Sequence, residues 1–389
     1  MTAAATGIAG SSSDGKAGDH TSGLQALLDG ASPGEVLDLG NKTYIVGAPL
    51  NGRALSNATL VGQATLKADD GTDFQFILDI SGTKGVKIKG LIFDANKMGR
   101  GRATGKLSCL KVNATYGCKL TGCTFKNTLG IVGAKSKSSV AVSASGGCQD
   151  LVVYGCTILD CGIDANTKPS DGIFVRGNRC VVSNCHARNV TDTAFVLEGC
   201  NHSQIVNCSG TDCTSVAGMS NDTGQDVEGN AISGITASSN HFGSFGGVVA
   251  AMVFGAAKLR LCAFRDITIT SAEHAKGGGP AMYLFGPVEG VTISNVTIDG
   301  TASGGAMTHG IAIDDAHDVD IKASWIQVGG QGACVRIGHA AAGIRIESNR
   351  LENGVAGIYA DGTSRFSETA NDFVNCKARV EVAGLAKQI

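Results

Sequence analysis

Four carboxylates stand out by type and position: Asp171, Asp192, Glu198 and Asp222. Carboxyl groups that meet in pairs divide acid and base work between them. Like charges at close range cannot both ionise, so one keeps its proton while the other stays charged. Cleavage of a glycosidic bond needs that division. A separation of about 5–5.5 Å favours retention at the sugar carbon, and about 6.5–9.5 Å favours inversion. The four acids are scattered over residues 171–222. Only a fold that returns the chain repeatedly to one wall brings them together.

Such a fold is written in the same stretch. Gly172-Ile173-Phe174-Val175-Arg176-Gly177 falls into register with Ala194-Phe195-Val196-Leu197-Glu198-Gly199 about 22 residues later. Residues 218–222 take the same place in the next repeat. Short alternating strands at this period, joined by small turns, predict a β-solenoid. An apolar–x–apolar core recurs at 110–112, 140–142, 173–175, 195–197, 219–221, 252–253, 282–284, 311–313, 335–337 and 358–360. Side chains alternate along a strand, so Ile173 and Val175 point in while Phe174 and Arg176 point out.

Coils stacked about 4.8 Å apart turn outward residues of one phase into a column. The column is predicted as Asn113, Ser143, Arg176, Glu198, Asp222, Phe254, Phe285, Asp314, Gly338 and Asp361. Its acids could cut a sugar chain, with Asp171 or Glu198 as acid and Asp192 or Asp222 as base. Its aromatics, Phe254 and Phe285, could hold the chain. A solvated sheet face is the plainer account of any single one. Loops before the strand carry Lys97, Arg100, Arg102 and Lys106, then Lys135 and Lys137, then Lys168. They suit an anionic polymer, or serve only solubility. The excursion 223–249 adds His241.

The rest of the chain agrees with one long all-β body. Its 389 residues hold 56 glycines and 5 prolines, and no low-complexity linker interrupts the middle. A net charge of −2 gives no bulk attraction to nucleic acid or membrane. There is no apolar run of transmembrane length. Met1-Thr2-Ala3-Ala4-Ala5 lacks the basic start and long apolar centre of a signal peptide. Residues 1–18 are predicted to be poorly ordered. Residues 19–53 are predicted as a capping helix over 19–32 and strands at 35–39 and Thr43–Val46, with coils over 54–389. Thr21 or Ser22 is the expected N-cap, and Leu24, Leu27 and Leu28 the buried face. Fourteen cysteines would suggest disulfides in a small secreted chain. Here Cys123, Cys156, Cys185, Cys208 and Cys376 share one apparent phase, which predicts reduced, buried thiols. No zinc site is expected.

The repeat resembles the right-handed parallel β-helix superfamily of pectate lyases, polygalacturonases, uronate epimerases and phage tailspike depolymerases, over roughly residues 20–385. The N-terminal helix and strands followed by TYIVGAPL, and LIFDAN at 91–96, are similar to its pectate-lyase-like and tailspike members. The resemblance implies a single-stranded right-handed parallel β-helix acting on a polysaccharide or oligosaccharide. It also implies a secreted or phage-borne setting and, by analogy with tailspikes, a homotrimer. Pro169-Ser170-Asp171-Gly172-Ile173 resembles the Asn-Thr-Asp-Gly motif of polygalacturonases. Asp192-Thr193 stands where that family has Asp-Asp, and Val216-Ala217-Gly218 where it has Gly-His-Gly. Asp314-Asp315 and Gly338-His339 echo those motifs further on. The epimerase motif Asp-Pro-His-Glu is absent.

A glycoside hydrolase without cofactor is therefore the first expectation. The alternative is β-elimination on a uronate, with Arg176, Lys168, Arg100 and His241 as candidate bases or charge partners and calcium on the carboxylates. The third is a tail-fibre or adhesin β-helix that binds glycan without turnover.

Overall fold

The computed structural model describes residues 2–4, 18–99, 106–130, 139–162, 169–242, 247–303 and 307–383. Side chains at 2–4, 239–242 and 271–277 lie outside the described residues, as do Arg100, Arg102, Lys135, Lys137 and Lys168. The chain divides into two compact units, Met1–Val196 and Leu197–Ile389. Each is built of coils of a right-handed parallel β-helix.

One coil of the N-terminal unit shows the construction. Val152–Tyr154 lies between Lys119–Thr121 and Val181–Ser183. Thr157–Cys161 lies between Thr124–Lys126 and His186–Val190. Ser170–Asn178 pairs with Ser139–Gln149. All these pairs are parallel, which requires each strand to wait one full turn for its partner. In the C-terminal unit, Ala231–Ser233 lies in the same way between Gln204–Val206 and the strand Ala263–Gly277.

The turns explain the repeat. Gly155 and Asn184 hold φ of 61° and 53° between successive strands, and Asn207 holds 53° in the C-terminal unit. Glycine and asparagine tolerate this left-handed corner better than other residues. The residue after the corner turns inward: Cys123, Cys156, Cys185 and Cys208 are buried and unpaired by disulfide. Burial pushes the Cys161 thiol up to about 11 and the Cys262 thiol up to about 12. Cys376 departs from the expected phase. It follows Asp372–Val374, which pairs with Arg350–Glu352 in a different ladder, and it is only half-buried. Its Val-Asn-Cys spelling imitates the repeat because both corners favour asparagine.

The helix spans Thr21–Asp29, shorter than expected, with Leu24 and Leu28 buried and Leu27 half-buried. Its N-cap is His20, not Thr21 or Ser22. Asp19 ties the start down instead: its Oδ1 accepts from the Thr21 N–H at 2.9 Å, the Thr21 hydroxyl at 2.5 Å and the Gly47 N–H at 3.1 Å. Coil formation also begins before residue 54. Val36–Asp38 and Thr43–Val46 already pair in register with Thr59–Val61 and Thr65–Ala68. Thr2–Ala4, expected to lack order, pairs with Val36–Asp38.

Candidate functional site

In the N-terminal unit Asp171 and Asp192 meet in consecutive turns. The Asp192 N–H donates to the Ser170 carbonyl at 3.2 Å. The Thr193 N–H donates to Asp171 Oδ1 at 3.3 Å. Gly172 permits the approach, since a Cβ there would sit 2.2 Å from the Ala194 carbonyl oxygen. Burial pushes the Asp192 carboxyl up to about 6, against the opposing pull of the Thr193 N–H. A raised pKa suits a proton donor, whereas Asp192 or Asp222 was expected as base and Asp171 or Glu198 as acid.

A buried hydroxyl cluster anchors this corner from inside. Thr128 donates to Ser170 Oγ at 3.1 Å, Ser139 and Ser170 share a short hydroxyl contact, and all three are fully buried. The Ser170 N–H bonds the Thr191 hydroxyl at 3.1 Å. The sequence reading missed this cluster. Its only signal is a serine as the first residue of the strands Ser139–Gln149 and Ser170–Asn178, which is common everywhere.

The outward columns run close to the expected ones, with shifts of two residues. Lys111, Ser143 and Phe174 are in register. Ser145, not Ser143, lies beside Asn113, whose Oδ1 accepts the Ser145 N–H at 3.0 Å. Arg176 is half-buried on the same outer face. A two-residue slip preserves the in–out alternation, so hydrophobicity cannot detect it.

The same slip separates Glu198 from Asp222 in the C-terminal unit. Ser220 is the neighbour of Glu198: its hydroxyl donates to Glu198 Oε2 at 3.3 Å, and its carbonyl accepts the Gly199 N–H at 2.8 Å. Asp222 lies two residues further on and is exposed. Between them Asn221 is fully buried. Its amide donates to the Gln225 and Lys258 carbonyls at 2.9 and 3.0 Å.

Ser220, Met252, Phe285 and Asp314 form one column, so Met252 takes the place expected for Phe254. Phe254 still meets Phe285, with ring centroids 5.9 Å apart, and Tyr283 meets Phe285 at 5.7 Å. Asp314 Oδ2 accepts from the Tyr283 hydroxyl at 3.1 Å and from Arg336 Nη1 at 2.8 Å. Burial, with the Asp314 charge, pushes the Tyr283 hydroxyl up to about 12. His309 faces the same charges. Burial and then Arg336 push it down to about 4, so its ring is neutral at pH 7. The backbone of His241 lies in Thr236–Phe242, and its side chain lies outside the described residues.

Among the described residues no group of three or more His, Cys, Asp or Glu could hold a metal ion. Calcium takes 6–8 oxygen ligands. On the described carboxylates it would draw most of these from backbone carbonyls and water.

No protein family and no curated protein matches the sequence. Solved structures do match. A family 28 exopolygalacturonase of Yersinia enterocolitica shares 12% identity over 100% of this chain and 79% of its own, with a TM-score of 0.56. Gene product 12 of bacteriophage phi29, in its pre-mature form, shares 11% over 99% of this chain and 57% of its own, at 0.75. The tailspike of Escherichia coli bacteriophage HK620, in complex with a pentasaccharide, shares 11% over 97% and 80%, at 0.63. The fold is the parallel β-helix that these solved structures share. At such identities the likeness carries the fold of these β-helices and assigns no residue a role.

Proposed function

We propose that this chain is a polysaccharide-cleaving glycoside hydrolase, with Asp192 as general acid and Asp171 as general base or nucleophile. One observation carries the proposal: the two carboxylates occupy consecutive turns, and burial keeps Asp192 protonated up to about pH 6. Two acids in unlike environments are what glycosidic cleavage requires. Arg176 on the same face is the candidate grip for a substrate hydroxyl or acid group. The names of the Yersinia enzyme and the HK620 complex support a polysaccharide or oligosaccharide substrate. A setting outside the cell or on a phage particle, and a homotrimer, belong to the same proposal. Sedimentation of the purified chain tests the latter.

Asp171→Asn and Asp192→Asn should each lower reducing-end release from a susceptible polysaccharide by about 100-fold or more. Full activity in both variants removes the proposal. The lyase alternative is separated by product chemistry. β-Elimination leaves an unsaturated uronate that absorbs in the ultraviolet, whereas hydrolysis leaves none.

A further inference from the structure

We infer that the outer face of the C-terminal unit carries a binding site for uncharged hexose residues, built from Phe254, Phe285, Tyr283, Asp314 and Arg336. It does not rest on the acid pair at Asp171 and Asp192, and it would operate in a protein that binds glycan without cutting it.

The apolar half of the site is a row of aromatic rings on neighbouring coils. Phe254 is 57% exposed, and Phe285 and Tyr283 are half-buried beside it. The rings are tilted at 47° and 40° to one another, so they offer a stepped surface and not a closed cluster. Such a surface suits the C–H face of a pyranose, which is apolar while its edge is ringed with hydroxyls.

The polar half stands at the edge of that row. Phe285 and Asp314 are register partners on adjacent coils. Asp314 is held by Tyr283 and Arg336, both of which donate to the same oxygen. Its other oxygen lies over Gly338, where a Cβ would come within 1.6 Å. Any larger residue at 338 would push the carboxylate off this position. His309 Nδ1 accepts the Ala333 N–H at 3.2 Å, which places the proton of the neutral ring on Nε2. The edge thus offers further N–H donors from Arg336 and acceptor capacity on Asp314.

Charge selects the ligand class. The Arg336 and Asp314 charges offset each other at 2.8 Å, so a uronate carboxylate gains no net attraction. At the remaining Arg336 N–H groups it would lie beside Asp314 and be repelled by it. Sugar hydroxyls meet no such competition, because a hydroxyl both donates to a carboxylate and accepts from a guanidinium.

The test uses the full chain carrying Asp192→Asn, so that turnover does not consume the probe. Calorimetric titration compares hexasaccharides of glucan, mannan and galactan with hexagalacturonate, at low and high salt. At least one neutral hexasaccharide should bind, with an affinity that salt leaves unchanged. Phe254→Ala and Phe285→Ala should each weaken that binding about tenfold or more. Phe254 is exposed enough for its variant to fold, and circular dichroism checks this for both. Tyr283→Phe and Arg336→Lys should weaken binding by smaller factors. Failure of every neutral probe to bind overturns the inference. So does a tighter, salt-sensitive hold on hexagalacturonate, or undiminished binding in both phenylalanine variants. Loss of hydrolysis in Asp192→Asn with binding intact separates this site from the acid pair.

Discussion

Asp192 joins folding to chemistry at the scale of one residue. An acid whose folded pKa lies above its unfolded value favours the native state while protonated. Its contribution is fully present below about pH 3.8 and is lost as pH rises through about 6. Urea denaturation of Asp192→Asn at pH 4 and pH 7.5 should show a smaller fall in stability between the two than the parent shows. Equal falls would mean that Asp192 is not buried as described. For activity the sign is the same. With Asp192 as the proposed general acid the protonated form is the working form, so the rate should decline above about pH 6 by about tenfold per unit. Asp171 was picked out by the likeness of Pro169-Ser170-Asp171-Gly172-Ile173 to a polygalacturonase motif, and Gly172 in that run permits the close approach of the Ala194 carbonyl. The division of roles was not legible, because it depends on how deeply each carboxyl sits.

At the scale of the element, corners and caps matter more than strand propensity. The N-terminal helix is stitched to the first coil through Asp19 and through His20, whose N–H donates to the Ile45 carbonyl at 2.8 Å and whose Nδ1 accepts the Ile45 N–H at 3.1 Å. Asp19→Ala leaves the Thr21 and Gly47 N–H groups without that acceptor. It should cost about 1–2 kcal/mol, read as a lowered denaturation midpoint at unchanged slope. The helix itself was visible in Leu24 and Leu28, four residues apart. Its cap was not, because serine or threonine before an apolar run is the usual signal, and here an aspartate two residues upstream of Thr21 does the work. Register behaved likewise. Ser143, Asp222 and Phe254 were each placed in the wrong column by two residues, a shift that alternation does not penalise.

At the scale of each whole unit, every coil rests on its two neighbours, so stability should be local. Phe264 is fully buried and stacks between Ile232 and Ile293. Phe264→Ala should cost about 3–5 kcal/mol. Hydrogen exchange should show early loss of protection in Ala231–Ser233, while Arg350–Glu352 in the same unit keeps most of its protection. Uniform loss across the unit would argue for one cooperative block. The net charge of −2 belongs to this scale too, and nucleic acid should not be retained at physiological salt.

The sequence by itself determined that the chain winds, because a left-handed corner followed by an inward apolar residue has to recur wherever a coil turns. It also determined that Phe174 and Arg176 face outward beside the inward Ile173 and Val175, because strand alternation leaves them no other side. Only the tertiary structure decided which of them meet. Parallel pairing joins residues a full coil apart, loops of unequal length set the offset, and burial then raises the Asp192 pKa to about 6 while Asp314 is held by Tyr283 and Arg336.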